Sequence, residues 1–262
     1  MTAPTRTDLL QALQSVGIRT GDIIFVHSSI YRMGKLADTA IDDIPQAVTS
    51  ILIDLLGPSG GLYVPTFTYK FCDGQPFDIR STPSEMGVLT EYIRKQEESV
   101  RSPHPMQSIA GMGPNAVDVC NRDTRTTFTS GGPIDRLYEL DAKVLLLGAP
   151  FQSTSLIHYV EEKCDVPYRC WKEFEGEYTN RNGDTDPVTY EMYVRNLDLN
   201  PKLDLSIIER ELSEGPIQKA QVGSAGVTSF NFEDFVEEAV KLVRKDPFAI
   251  VGEMDKSFAS DK

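Results

Sequence analysis

Concentrated positive charge is the first thing this sequence lacks. Only 26 Lys and Arg stand against 39 Asp and Glu, a net charge of −13 over 262 residues. Proteins that track a phosphate backbone need clustered Lys and Arg to displace its counterions, so the balance argues against a nucleic-acid partner. Such acidity chiefly keeps a surface soluble, and steering of a cationic ligand is a weaker implication. No run approaches the roughly 20 apolar residues of a membrane span, and the start MTAPTRTDLLQALQ has neither the basic region nor the apolar core of a signal peptide. A cytoplasmic protein that does not engage membranes is expected. The four cysteines, Cys72, Cys120, Cys164 and Cys170, form no CxxC pair and HExxH spacing is absent, so reduced thiols and no metal site are expected. GxSxG, the Walker GxxxxGK and GxGxxG are also missing, which removes the nucleophile elbow and the common nucleotide-binding loops.

What is present suits a globular chain. A hydrophobic content of 40% with 9% aromatics can bury a sizeable core. Asp8 to Val16 reads as a short helix ended by Gly17, and GDIIFVH as a buried strand. Ile41 to Leu56 is apolar at helical spacing, GPSGG is a turn, and LYVPTF is a second strand. Ser84 to Lys95 reads as a helix, SIAGMG as a short strand and KVLLLG, Lys143 to Gly148, as the clearest buried strand. Helices alternating with apolar strands predict a layered α/β/α fold with a mostly parallel central sheet. From Trp171 to Asn196 polar and apolar residues alternate around Asn182-Gly183, which predicts an inserted β-hairpin within 171–200 that walls a cleft. Leu203 to Leu212 and Phe232 to Arg244 read as helices, and GEMDKSFASDK as a frayed tail. No repeat or linker divides the chain, so residues 1–262 are expected to form one domain.

In such sheets, sites gather where loops leave the carboxyl ends of strands. Here that means HSSI after IIFV, TFT after LYVP, and the stretch TSLIH after KVLLLG. The three histidines lie near these ends and turns. A lone histidine there more often bonds a loop carbonyl, which is the simpler reading for His27 and His104. His158 differs, because Ser155 precedes it by three residues while Glu161 and Glu162 follow by three and four. On a helix these positions share one face, and a carboxylate beside an imidazole fixes its tautomer and stabilises the imidazolium formed when it accepts a proton. Spacing alone leaves that general-base wiring evenly matched with a solvated helix contact contributing about 0.3 kcal/mol. Gly131 to Pro133 resembles a loop entering a helix whose free N–H groups can hold a phosphate, but Gly-Pro there is often punctuation.

Four separated blocks together resemble the aminoglycoside 3-N-acetyltransferase family of antibiotic acetyltransferases. They are GIRTGDIIFVHSSIYRMG, GGLYVPTFTY, MGVLTEYIRK with VRSPHPMQSIAGMGPNA, and PIDRLYELDAKVLLLGAPFQSTSLIHYVEE, in order from about Gly17 to Glu162. The resemblance implies transfer of acetyl from acetyl-CoA to an amine by direct attack, with His158 as general base, Glu161 as its acid and Ser155 as a hydroxyl near the reacting carbonyl. It implies that His27, Ser28, Ser29, Ser102 and Ser108 line the CoA arm, and that a homodimer is a common state. Glu162 and Asp165 can hold a cationic substrate or simply be surface. A further downstream carboxylate that orients the histidine in some relatives has two candidates, Asp198 and Asp204. Residues 71–80 and 171–200, expected to shape the acceptor pocket, depart most from the family pattern. An aminoglycoside, an amino sugar of polysaccharide or natural-product biosynthesis, an inactive CoA-binding scaffold and a hydrolase are therefore distinguishable readings.

Overall fold

In the computed structural model, whose described residues run from 3 to 253, helix α1 (Arg6–Ser15) leads into strand β1 (Ile23–Ser28), the single turn α2 (Ile30–Met33), α3 (Ile44–Leu56) and β2 (Gly61–Pro65). Next come β3 (Phe77–Asp78), α4 (Val88–Arg94), β4 (Val100–Arg101), β5 (Ile109–Met112), α5 (Ala116–Cys120), α6 (Pro133–Glu139) and β6 (Lys143–Leu147). The remainder holds α7 (Ile157–Cys164), β7 (Arg169–Thr179), β8 (Thr185–Arg195), β9 (Lys202–Leu203), α8 (Ser206–Ser213), β10 (Gln218–Val222), β11 (Ala225–Asn231), α9 (Phe232–Lys245) and β12 (Val251–Glu253).

The central sheet has seven strands in the order β10-β11-β6-β1-β2-β5-β4. At its centre β1 runs parallel to both β2 and β6. β11 and β5 run against their neighbours, so five of the seven strands point one way and two the other. The sheet is thus mostly parallel in direction, as expected. Its central strands read as unbroken apolar runs because both faces are covered. Ile24, Val26, Leu62, Val64, Leu145 and Leu147 pack with Leu9, Leu13, Val48 and Leu52 from α1 and α3. The alternate residues Phe25, Tyr63, Val144 and Leu146 pack on the opposite face with Leu137, Val160 and Phe235 from α6, α7 and α9. This is the α/β/α layering.

Some boundaries move for local reasons. The helix expected from Ser84 begins only at Val88, after Gly87 at φ 117, and the one expected from Leu203 begins at Ser206. Within the expected tail, Gly252 and Glu253 belong to β12, which pairs with β9, while 254–262 lie outside the described residues. The hairpin is real and starts two residues earlier, with Arg169 paired to Arg195 and Thr179 to Thr185. Asn180 Oδ1 accepts from the N–H groups of Asn182 and Asp184, and Gly183 sits at φ 96. Phe174, Tyr178, Val188, Tyr190 and Met192 cluster with Phe71, Phe77 and Met106, whereas Trp171, Glu173, Glu175 and Glu177 occupy the alternate positions of β7. Among the described residues no helix is long and apolar enough to cross a membrane.

Candidate active site

Because β1, β2 and β6 are parallel neighbours, their carboxyl ends share one edge of the sheet, and the chain leaving β6 runs straight into the candidate residues. Gly148, at φ 69, permits that path: a Cβ there would lie 2.6 Å from Ser29 O. A 3-10 turn at Phe151–Ser153 and a further turn then start α7. Ser155 lies in that turn rather than in the helix, with its carbonyl accepting from His158 N. Its buried Oγ has no partner.

His158 and Glu161 face the same side of α7, and His158 Nδ1 is 2.6 Å from Glu161 Oε2. Glu161 is fully buried. Burial pushes its carboxyl up, but the combined pull of His158 and Arg169 overrides this and leaves it below the usual range. Arg169 Nε lies 2.7 Å from the same oxygen as an ion pair, without the alignment of a hydrogen bond. An ionised carboxylate only accepts, so Nδ1 must carry the proton that it donates to Glu161. Arg169 Nη2 lies 3.1 Å from Nδ1, and with the proton on Nδ1 this is an approach of two donors and not a hydrogen bond. The lone pair of the imidazole is left on Nε2. Phe128 meets the ring edge-on at 5.4 Å and fixes its plane.

His158 is about one-third exposed and lines a cavity of about 460 Å³ with Tyr69, Gln107, Arg169, Tyr193 and Arg195. Arg169 Nη1 also donates to Tyr193 O, so the base of the hairpin and the histidine helix are tied at one residue. Sequence spacing missed Arg169, because nothing local marks an arginine on another element as a partner of Glu161. Gln107, Tyr69 and Tyr193 were missed for the same reason.

The other expected residues separate into groups. His27, Ser28 and Ser29 line a second cavity of about 400 Å³ with Arg32 and Ser153. Burial drives His27 down to about 3, so it is neutral, and its Nε2 has no partner. Ser102 and Ser108 line neither cavity. Ser102 Oγ accepts from Ile109 N, and Ser108 Oγ donates to Thr66 O while accepting from Arg101 Nε. Both are fully buried joints between strands and loops. His104 accepts at Nδ1 from Gln107 N and therefore donates from Nε2 to Glu191 O; burial lowers it to about 4. It thus bonds a carbonyl, as its simpler reading required.

Glu162 is not among the residues that line the cavity and accepts from Thr126 Oγ1, while Asp165 closes α7 in the left-handed region, 3.2 Å from the Tyr193 hydroxyl. Neither downstream candidate orients His158: Asp204 accepts from Ser206 N at the start of α8, and Asp198 is exposed in a turn. Gly131 N is taken by Asp135 Oδ2, so the glycine-proline loop is closed on itself.

Known proteins share this sequence pattern and fold. The family model described as aminoglycoside 3-N-acetyltransferase matches residues 25–244. The chain is similar to aminoglycoside N(3)-acetyltransferase III of Salmonella sp, with 26% identity covering 92% of each chain. A solved structure of AAC(3)-IVa, a histidine-to-alanine mutant in complex with a gentamicin, is 25% identical with a TM-score of 0.79, covering 95% of this chain and 92% of that one. The fold is shared also by AAC-IIIb bound to CoASH, at 24% identity and a TM-score of 0.81, covering 93% of this chain and 97% of that one.

Proposed function

The chain belongs to the aminoglycoside 3-N-acetyltransferase family, and from that premise we propose that it transfers the acetyl group of acetyl-CoA to an amino group of an aminoglycoside or related amino sugar, with His158 as general base. The observation that carries this reading is the 2.6 Å contact of His158 Nδ1 with a buried, ionised Glu161 beside an open cavity. That contact leaves Nε2 free to take a proton from the acceptor.

An alkyl amine with a pKa of about 10 is mostly ammonium at neutral pH and cannot attack a thioester until a proton leaves. The ammonium first gives one proton to solvent, and as the neutral amine nitrogen bonds to the thioester carbonyl carbon a second proton passes to His158 Nε2. Glu161 stabilises the resulting imidazolium, and Arg169 keeps that acid ionised despite its burial. The carbon–sulfur bond then breaks, and the imidazolium returns the proton to the departing sulfur. Ser155 Oγ, a buried hydroxyl with no partner that lines neither cavity, can donate to the developing oxyanion only after its side chain turns toward the bound thioester. In this reading the His158 cavity takes the acceptor, and the cavity of His27, Ser28 and Ser29 takes the CoA arm. Ser102 and Ser108 support that arm from beneath, through the strands they join.

Thiol release from acetyl-CoA, followed with a panel of aminoglycosides and amino sugars, tests the proposal. Release should depend on the acceptor, and kcat/KM should fall by about 10²-fold or more in His158→Ala, the scale of a lost general base. Release without any acceptor would mark a hydrolase instead, and failure to bind acetyl-CoA would sink the transferase reading.

A further inference from the structure

Arg169 and Arg195 are direct cross-strand partners at the base of the hairpin, and both line the His158 cavity. Like charges opposite one another on a sheet are destabilising. Glu161 neutralises Arg169. Arg195 is exposed, and among the described residues no carboxylate lies within ion-pairing distance of it. Among the described residues no Asp or Glu lines this cavity.

Nearby carboxylates are already engaged. Glu191 is held by two guanidinium nitrogens of Arg125, Nε and Nη2, at 2.6 Å, Glu162 accepts from Thr126, Asp204 from the first turn of α8, Asp165 from the Tyr193 hydroxyl and Glu85 from Tyr69 N. The lining around the histidine therefore carries one unpaired cation, Arg195, within a protein of net charge −13, and a lining of that sign disfavours a polycation. Gln107 adds a second observation. It is 9% exposed, it lines the same cavity, and its Oε1 is buried without a partner. A buried acceptor of this kind is costly unless a ligand N–H or O–H fills it.

The geometry points to an acceptor that is an amino sugar bearing an anionic group, a sugar phosphate above all, with Arg195 receiving the anion and Gln107 Oε1 a hydroxyl or amine N–H. The planar guanidinium fork matches phosphate oxygens two at a time. Tyr69 and Tyr193 also line this cavity, Tyr69 with the more exposed ring. The inference rests on this cavity being the acceptor site of an acetyltransferase. CoA also carries phosphates, and the assay has to separate the two sources of anion.

Initial rates with acetyl-CoA are compared for glucosamine 1-phosphate, glucosamine and an aminoglycoside, in the wild type and in Arg195→Glu, with acetyl-CoA binding measured separately. The expected result is a kcat/KM for the phosphorylated sugar at least tenfold above that for glucosamine, with the aminoglycoside lower still. In Arg195→Glu that ratio falls to one or below, through KM for the acceptor. Equal rates, a preference for the aminoglycoside, or no turnover of the phosphorylated sugar by protein that binds acetyl-CoA overturns the inference while leaving the transferase reading intact. So does an Arg195→Glu effect confined to the KM of acetyl-CoA, which assigns the arginine to CoA. Loss of acetyl-CoA binding by the wild type removes both.

Discussion

Glu161 and Glu162 are neighbours with opposite electrostatics. The His158 N–H and the Arg169 guanidinium hold the first ionised, whereas burial pushes the second up to about 7, against the weaker effect of Thr126. In the unfolded chain Glu162 loses its proton near 4.5. Between that value and about 7 the native state therefore binds more protons than the unfolded one, and stability falls as pH rises through the window. Glu162→Gln keeps an acceptor for Thr126 Oγ1 and removes the charge. Its Tm should consequently drop less than that of the wild type between pH 5 and pH 8; equal drops in calorimetry would show that Glu162 is not the group responsible. At this scale the sequence was partly legible. Three-residue spacing was enough to pair His158 with Glu161, because one helix carries both. It could not find Arg169, whose partner lies across a turn and a change of element, and it placed Ser155 on a helix that starts two residues later.

At the scale of elements, the hairpin was visible from its alternation, but its docking was not. Gly176 lies flush on the Phe71 ring, and a Cβ there would come within 2.7 Å of it. Gly176→Ala should lift the insert from Phe71 and cost about 1–3 kcal/mol, the usual range for overpacking. Arg169 and Tyr193 sit on the same two strands, so the acceptor KM should rise more than the KM of acetyl-CoA. Calorimetry and steady-state kinetics on the one variant check both parts, and an unchanged acceptor KM would mean that the two ends of the hairpin move independently. Strands β10 and β11 went unread in the sequence. They are short, interrupted by Gly223 and partly exposed, so they lack the uniform apolar run that betrays β6.

For the molecule as a whole, layering was the most legible property, since strands covered on both faces must be apolar throughout, as IIFV and VLLL are. The same closure has a cost in acid. Burial lowers His27 to about 3 and His104 to about 4, so below about 6.5 the unfolded chain binds protons that the native state refuses. Stability should decline as pH falls from about 6.5 to 4, read as a falling urea midpoint. Over pH 5.5 to 8 the NMR signals of these two rings should not shift; movement of either would contradict the burial described. A last consequence concerns how the site can change. Glu161 is clamped at the root of the hairpin, by Arg169, while the strands continue ten residues beyond that arginine to Thr179. On the proposed chemistry, catalysis and selectivity are thus modular: exchanging the outer part of the insert should retune which acceptor is used, whereas altering its first rung should lower turnover of every acceptor.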